Sequence, residues 1–172
     1  MDARLFAACL VNKLGEIRGK KAFQKFVYLG QVHGLPLNYS YRMHFYGPFS
    51  DELAEEFEED IQKNHILTIS PDNKYIYLPG TKCEAETEKG FSILGDHKEK
   101  FDLLLNRFGN KSPGDLELYS TIHFICDTLE VFYKTNDKNH RIEEIKKAKY
   151  PKFSEPKILK CYDEMKEWKL IS

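Results

Sequence analysis

A chain of 172 residues with 41% hydrophobic and 13% aromatic side chains carries enough apolar material for a packed core, in one domain or two small ones. With 31% charged residues it reads as soluble and globular, and no apolar run approaches the ~20 residues that cross a bilayer. The net charge of −1 points to neither a strongly basic nucleic-acid binder nor a membrane-surface protein.

That charge is segregated along the chain. Residues 1–36 hold six cations against two anions, and residues 50–64 hold seven acids against Lys63 alone. Residues 141–160 return to seven cations against three acids. Cys9, Cys83, Cys126 and Cys161 are widely spaced and form no C-x-x-C pair, which fits reduced core thiols in a cytoplasmic protein.

Leu5, Phe6, Cys9, Leu10 and Leu14 predict an amphipathic helix over 2–16, broken by Gly15-Glu16-Ile17-Arg18-Gly19. Phe23, Phe26, Val27 and Gly30 predict a second helix over 20–33, stopped by Gly34 and Pro36. Tyr39, Tyr41, Met43 and Phe45 alternate with polar residues, so this segment reads as a half-buried strand. Gly47-Pro48 is expected to turn the chain. Ser50 then caps a third helix, whose first turn carries Asp51 and Glu52 and whose buried stripe is Leu53, Phe57 and Ile61. Two β-rich runs, 66–70 and 74–78, flank Pro71-Asp72-Asn73 as a hairpin.

Residues 80–96 read as a polar connector with room for a short helix. Beyond it Phe101, Leu104, Leu105 and Phe108 mark one helix, and Ser112-Pro113 opens another with Leu118, Ile122, Ile125 and Leu129 inward. Ile142 and Ile145 mark a short helix over 140–149. Ser154 and Pro156 open the last, with Ile158, Tyr162, Met165 and Trp168 inward.

The expected fold is α+β and predominantly helical. A winged helix-turn-helix-like N-terminal module with a small antiparallel sheet occupies 1–80, and a connector occupies 81–96. A helical C-terminal region, 97–172, contains a second helix-turn-helix-like pair.

Lys21, Phe23, Gln24, Lys25 and Tyr28, followed by His44, Phe45, Tyr46, Gly47, Pro48, Phe49 and Ser50, resemble the YwgA-type family of small prokaryotic proteins. The resemblance is strongest over about 10–80 and continues weakly into Leu116–Ile125 and Ala148–Ser154. It implies a winged-helix-like fold and carries over no catalytic residue. The Tyr46-Gly47-Pro48 turn and the helix before it are also distantly similar to the Panacea-type domain of antitoxins. That likeness would imply a partner protein neutralised by binding.

The acidic third helix is a poor reader of bases, because base edges and phosphates call for Arg, Lys, Asn or Gln. Its Asp51, Glu55, Glu58 and Glu59 read as a solvated face or as a docking surface for a basic partner. The cations that suit phosphate are Lys20, Lys21 and Lys25 on the second helix, and Lys146, Lys147, Lys149, Lys152, Lys157 and Lys160 near the last two helices. A solvated face is the competing reading for both groups. His44 and Tyr46 tempt a catalytic reading, but with Gly47, Pro48 and Ser50 they read better as a fold-defining turn whose aromatics pack under the capped helix.

The sequence holds no H-E-x-x-H, no phosphate-binding glycine loop, no G-x-S-x-G elbow and no metal-spaced histidines. The expectation is therefore a non-enzymatic regulator or adaptor with no cofactor, metal or small-molecule ligand. Its partner is another protein or a second copy of the chain, with duplex DNA at the basic C-terminal surface as the alternative.

Overall fold

A computed structural model describes all 172 residues. Helix α1, Ala3–Leu14, starts where the Asp2 carboxylate accepts the Leu5 N–H, and it ends at Gly15 with φ +80°. The two-residue strand β1, Ile17–Arg18, leads to α2, Lys20–Val32. Strands β2, Arg42–His44, and β3, Gly47–Phe49, form a ribbon that runs straight into α3, Asp51–Lys63. The expected Ser50 cap is present, its hydroxyl accepting from Leu53 N–H, and Leu53, Phe57 and Ile61 are buried. Strands β4, Leu67–Ile69, and β5, Ile76–Pro79, form the expected hairpin.

Four helices and a short 3-10 turn at 95–97 follow α4, Cys83–Leu94. The four are α5, Lys98–Phe108, α6, Pro113–Tyr133, α7, Lys138–Lys149, and α8, Glu155–Glu167. The chain is α+β and predominantly helical. A single core runs from Ala3 to Ile171. No helix is long and apolar enough to cross a membrane.

Four expectations change. Glu16-Ile17-Arg18 does more than break a helix: β1 pairs antiparallel with β5, Ile17 opposite Tyr77, in a sheet of order β1-β5-β4. Residues 81–96 are not a plain connector, since α4 packs along α1. Gly90 makes that approach possible, because a Cβ there would lie 2.5 Å from Cys9 Sγ and 2.9 Å from the Leu5 carbonyl oxygen.

The strand before the turn is buried only as far as Tyr39 and, in part, Tyr41. Met43 and Phe45 face water, because the β2–β3 ribbon is covered through β3 and leaves β2 outside. The chain reverses at Phe45-Tyr46 rather than at Gly47-Pro48. His44 pairs with Gly47, which takes the one positive φ of the reversal, +85°. The aromatics of this turn therefore project outward and do not pack beneath α3.

Candidate functional site

The β2–β3 hairpin is held by side chains from two helices. On α2, Gln24 brackets Ser50: its amide nitrogen donates to the Ser50 carbonyl at 2.8 Å, and its amide oxygen accepts the Ser50 N–H at 3.0 Å. The next residue, Lys25, donates Nζ to the Pro48 carbonyl at 2.5 Å. From the end of α7, Lys149 donates to the Phe45 carbonyl at 3.0 Å and to Glu117 Oε1 at 2.7 Å. Lys152 closes the network on Glu117 Oε2 at 2.6 Å. Gly47 lies so close to α6 that a Cβ would meet Thr121 Oγ1 at 2.7 Å.

The helical period explains these placements. Ala22, Lys25 and Leu29 share one stripe of α2, Glu117 and Thr121 lie four apart on α6, and Ile142, Ile145 and Lys149 form the buried stripe of α7. Each polar residue thus sits at an inward position that an apolar side chain would otherwise fill. A buried polar group is tolerated only when bonded: Lys25 and Lys149 donate to backbone carbonyls of the hairpin, Glu117 accepts from Lys149 and Lys152, and Thr121 donates to the Glu117 carbonyl.

The electrostatics are unequal. Burial pushes the Glu117 carboxyl up, but hydrogen bonds from Lys149 and Lys152 outweigh it and keep the group below the usual carboxylate range. Lys25 has no carboxylate within ion-pairing distance. Burial, opposed by Glu117 and reinforced by the Lys149 and Lys21 charges, brings its ammonium down from 10.5 to about 7. Buried Lys149 and exposed Lys152 therefore share one glutamate, while buried Lys25 has only a backbone carbonyl as partner.

At the tip the side chains turn to solvent. Tyr46 lies between two cations, with Lys21 Nζ 2.9 Å and Lys152 Nζ 5.2 Å from its ring centroid. Phe45 meets Tyr46 edge-on at 4.9 Å and remains 77% exposed. Met43, one residue before His44, lines an apolar groove of about 640 Å³ with Phe124, Ile125, Leu129 and Tyr133. A more polar cavity of about 490 Å³ lies elsewhere on α6, beside His123, Cys126 and Glu130. No group of three or more His, Cys, Asp or Glu side chains is placed to hold a metal ion.

The lysines singled out in the sequence scatter. Lys25 and Lys149 are buried and leave any nucleic-acid surface. Lys20 pairs with Glu58, Lys146 with Glu143 and Glu155, Lys147 with Glu144, and Lys157 with Asp115. Lys160 is exposed without an ion pair, while Lys21 and Lys152 gather at Tyr46. On α3, Asp51 pairs with Arg42 and Glu59 with Lys63, which leaves Glu55 exposed and free of an ion pair. Asp60, another acid of this helix, is buried and accepts the Ile66 and Leu67 N–H groups. Glu117 and Thr121 were not picked out, and Gln24 entered only through the family resemblance. Their inward helical positions were the available signal.

No family model and no solved structure matches the chain. A curated relative does: the uncharacterized protein YwgA of Bacillus subtilis (strain 168), 30% identical over 159 residues, which span 89% of this chain and 90% of the relative. Among the residues that suggested this family, Gln24 and Lys25 on one side are bonded to Ser50 and Pro48 on the other. The chain belongs to the YwgA family.

Proposed function

We propose that this chain is a non-enzymatic binding protein, an adaptor or regulator, that presents the β2–β3 hairpin tip as a preformed recognition element. One observation carries the reading. Buried side chains make four hydrogen bonds to the backbone of residues 45–50, while Phe45 at the tip stays 77% exposed. Rigid support beneath an exposed aromatic removes ordering entropy from a later binding step. The clamp leaves its own polar groups mutually satisfied, which suits positioning better than chemistry.

The scaffold under this element is winged-helix-like in our reading. The order α1-β1-α2-α3-β4-β5, with the β2–β3 hairpin inserted between α2 and α3 and β5 paired to β1, supports it. Its third helix bears acids where a groove-reading helix bears cations, and five of the six C-terminal lysines are engaged by acids on the same protein. Both facts weigh against a duplex-binding regulator. The Panacea-type likeness rests on the same Tyr46-Gly47-Pro48 turn and accords with a protein partner. Four buried free thiols agree with a reducing, cytoplasmic setting.

The test is a photo-crosslinking amino acid at position 45 of the full chain, with position 75 as control because Tyr75 is also 66% exposed. In extract from the native host, a defined adduct at 45 and not at 75 is the expected outcome. Identical adducts, or none, would refute the reading.

A further inference from the structure

We propose that the hairpin tip binds single-stranded nucleic acid, with bases stacking on Phe45 and Tyr150 and phosphates meeting Lys21 and Lys152. The inference rests on the hairpin being the recognition element and names its partner.

Charge complementarity comes first. In a chain of net charge −1, two exposed cations, Lys21 and Lys152, stand at the hairpin, and the one acid beneath it, Glu117, is buried and already bonded to Lys149 and Lys152. The island therefore presents positive charge outward. Lys21 and Lys152 sit on Tyr46, so the cations are fixed beside an aromatic rather than spread along a helix.

The rings choose among anionic partners. Phe45 is 77% exposed and Tyr150, next to the clamping Lys149, is 64% exposed. Carboxylates of an acidic peptide would be matched by the lysines alone and would leave these rings idle. Bases supply flat faces that stack on them, the usual arrangement where cations and aromatics alternate on a single-strand site. A duplex fits badly. The helix that begins directly after the hairpin, α3, carries exposed acids such as Glu55 that repel phosphate, and a flexible single strand has more freedom to avoid them than a stiff duplex.

The experiment is fluorescence anisotropy of the full chain with labelled oligo-dT and oligo-U of about a dozen nucleotides, at low and then physiological salt. The same sequence as a duplex and a poly-glutamate peptide serve as competitors. Phe45→Ala and Lys21→Glu are the variants. Both side chains are exposed, and urea denaturation checks their folding.

Salt-sensitive binding is expected, weakened roughly tenfold by Phe45→Ala, with the salt slope lowered by at least about 0.7 in Lys21→Glu. Poly-glutamate and duplex should compete poorly. No binding at low salt, indifference to Phe45→Ala, or equal competition by poly-glutamate would overturn the proposal. The crosslink at position 45 separates the two levels. A protein adduct there without oligonucleotide binding removes this inference and leaves the hairpin as a recognition element. Silence in both assays removes both.

Discussion

Lys25→Met tests whether the buried amine behaves as the geometry requires. The lysine is 2% exposed, its only hydrogen-bond partner is the Pro48 carbonyl, and its ammonium titrates near about 7 instead of 10.5. The sign follows from proton counts. Between about 7 and about 10.5 the unfolded chain holds a proton on Lys25 that the folded chain has released, so stability rises with pH across that window. From about pH 6.5 to about pH 8.5 the gain is about 2 kcal/mol, at about 1.4 kcal/mol for each unit in which the two states differ by a full proton. Methionine has nearly the same length and no proton to lose. It forfeits the bond to Pro48, about 1–3 kcal/mol, and also escapes the cost of burying a charge, so the two proteins should be of similar stability at the acid end. The measurement is urea denaturation of both proteins across that range. Buried cysteines, whose thiols burial also shifts, are common to both and cancel in the difference. Wild type should gain about 2 kcal/mol on Lys25→Met as the pH rises. Parallel curves would refute the account of Lys25 as a buried amine that is neutral above neutrality.

Glu117→Ala should be among the most damaging single changes, costing about 3–5 kcal/mol in urea denaturation, because it strands Lys149 in the interior without its carboxylate. Gly47→Ala should cost about 1–3 kcal/mol and speed amide exchange across 42–49, since φ +85° and the approach of Thr121 to 2.7 Å both oppose a Cβ. Gly90→Ala should lower the thermal midpoint through a cost of about 1–3 kcal/mol, with α4 forced off α1 where a Cβ would stand 2.5 Å from Cys9 Sγ.

The regular elements were legible because their signals are local. Leu53, Phe57 and Ile61 recur at the helical period, Ser50 caps the helix that follows it, and Pro71-Asp72-Asn73 separates two strands. Strand β1 escaped notice because two residues carry no period, and its partner β5 lies almost sixty residues away. Helix α4 was muted by its composition: only Cys83, Thr87, Gly90 and Leu94 are buried, and two of these are not apolar. The candidate site was half visible. The motif at 44–50 drew attention from its glycine, proline and aromatics, yet its turn was placed two residues late and its aromatics were turned inward.

The clamp itself could not be read from residue types, because Lys25, Glu117 and Lys149 look like surface residues in sequence. What distinguishes them is position: each falls on the inward stripe of its helix, where charge is admissible only if something buried accepts it. For the two lysines the accepting groups are carbonyls of a two-stranded ribbon, at Phe45 and Pro48, and Glu117 in turn accepts from Lys149 and Lys152. A ribbon of this size is marginal alone, so the interior charges and the exposed tip are two ends of one requirement. The lysines can be buried because the hairpin offers carbonyls. In turn the hairpin can hold Phe45 and Tyr46 out in water because the lysines fix its backbone. A substitution in the network should therefore be felt at the tip before it is felt in the rest of the core.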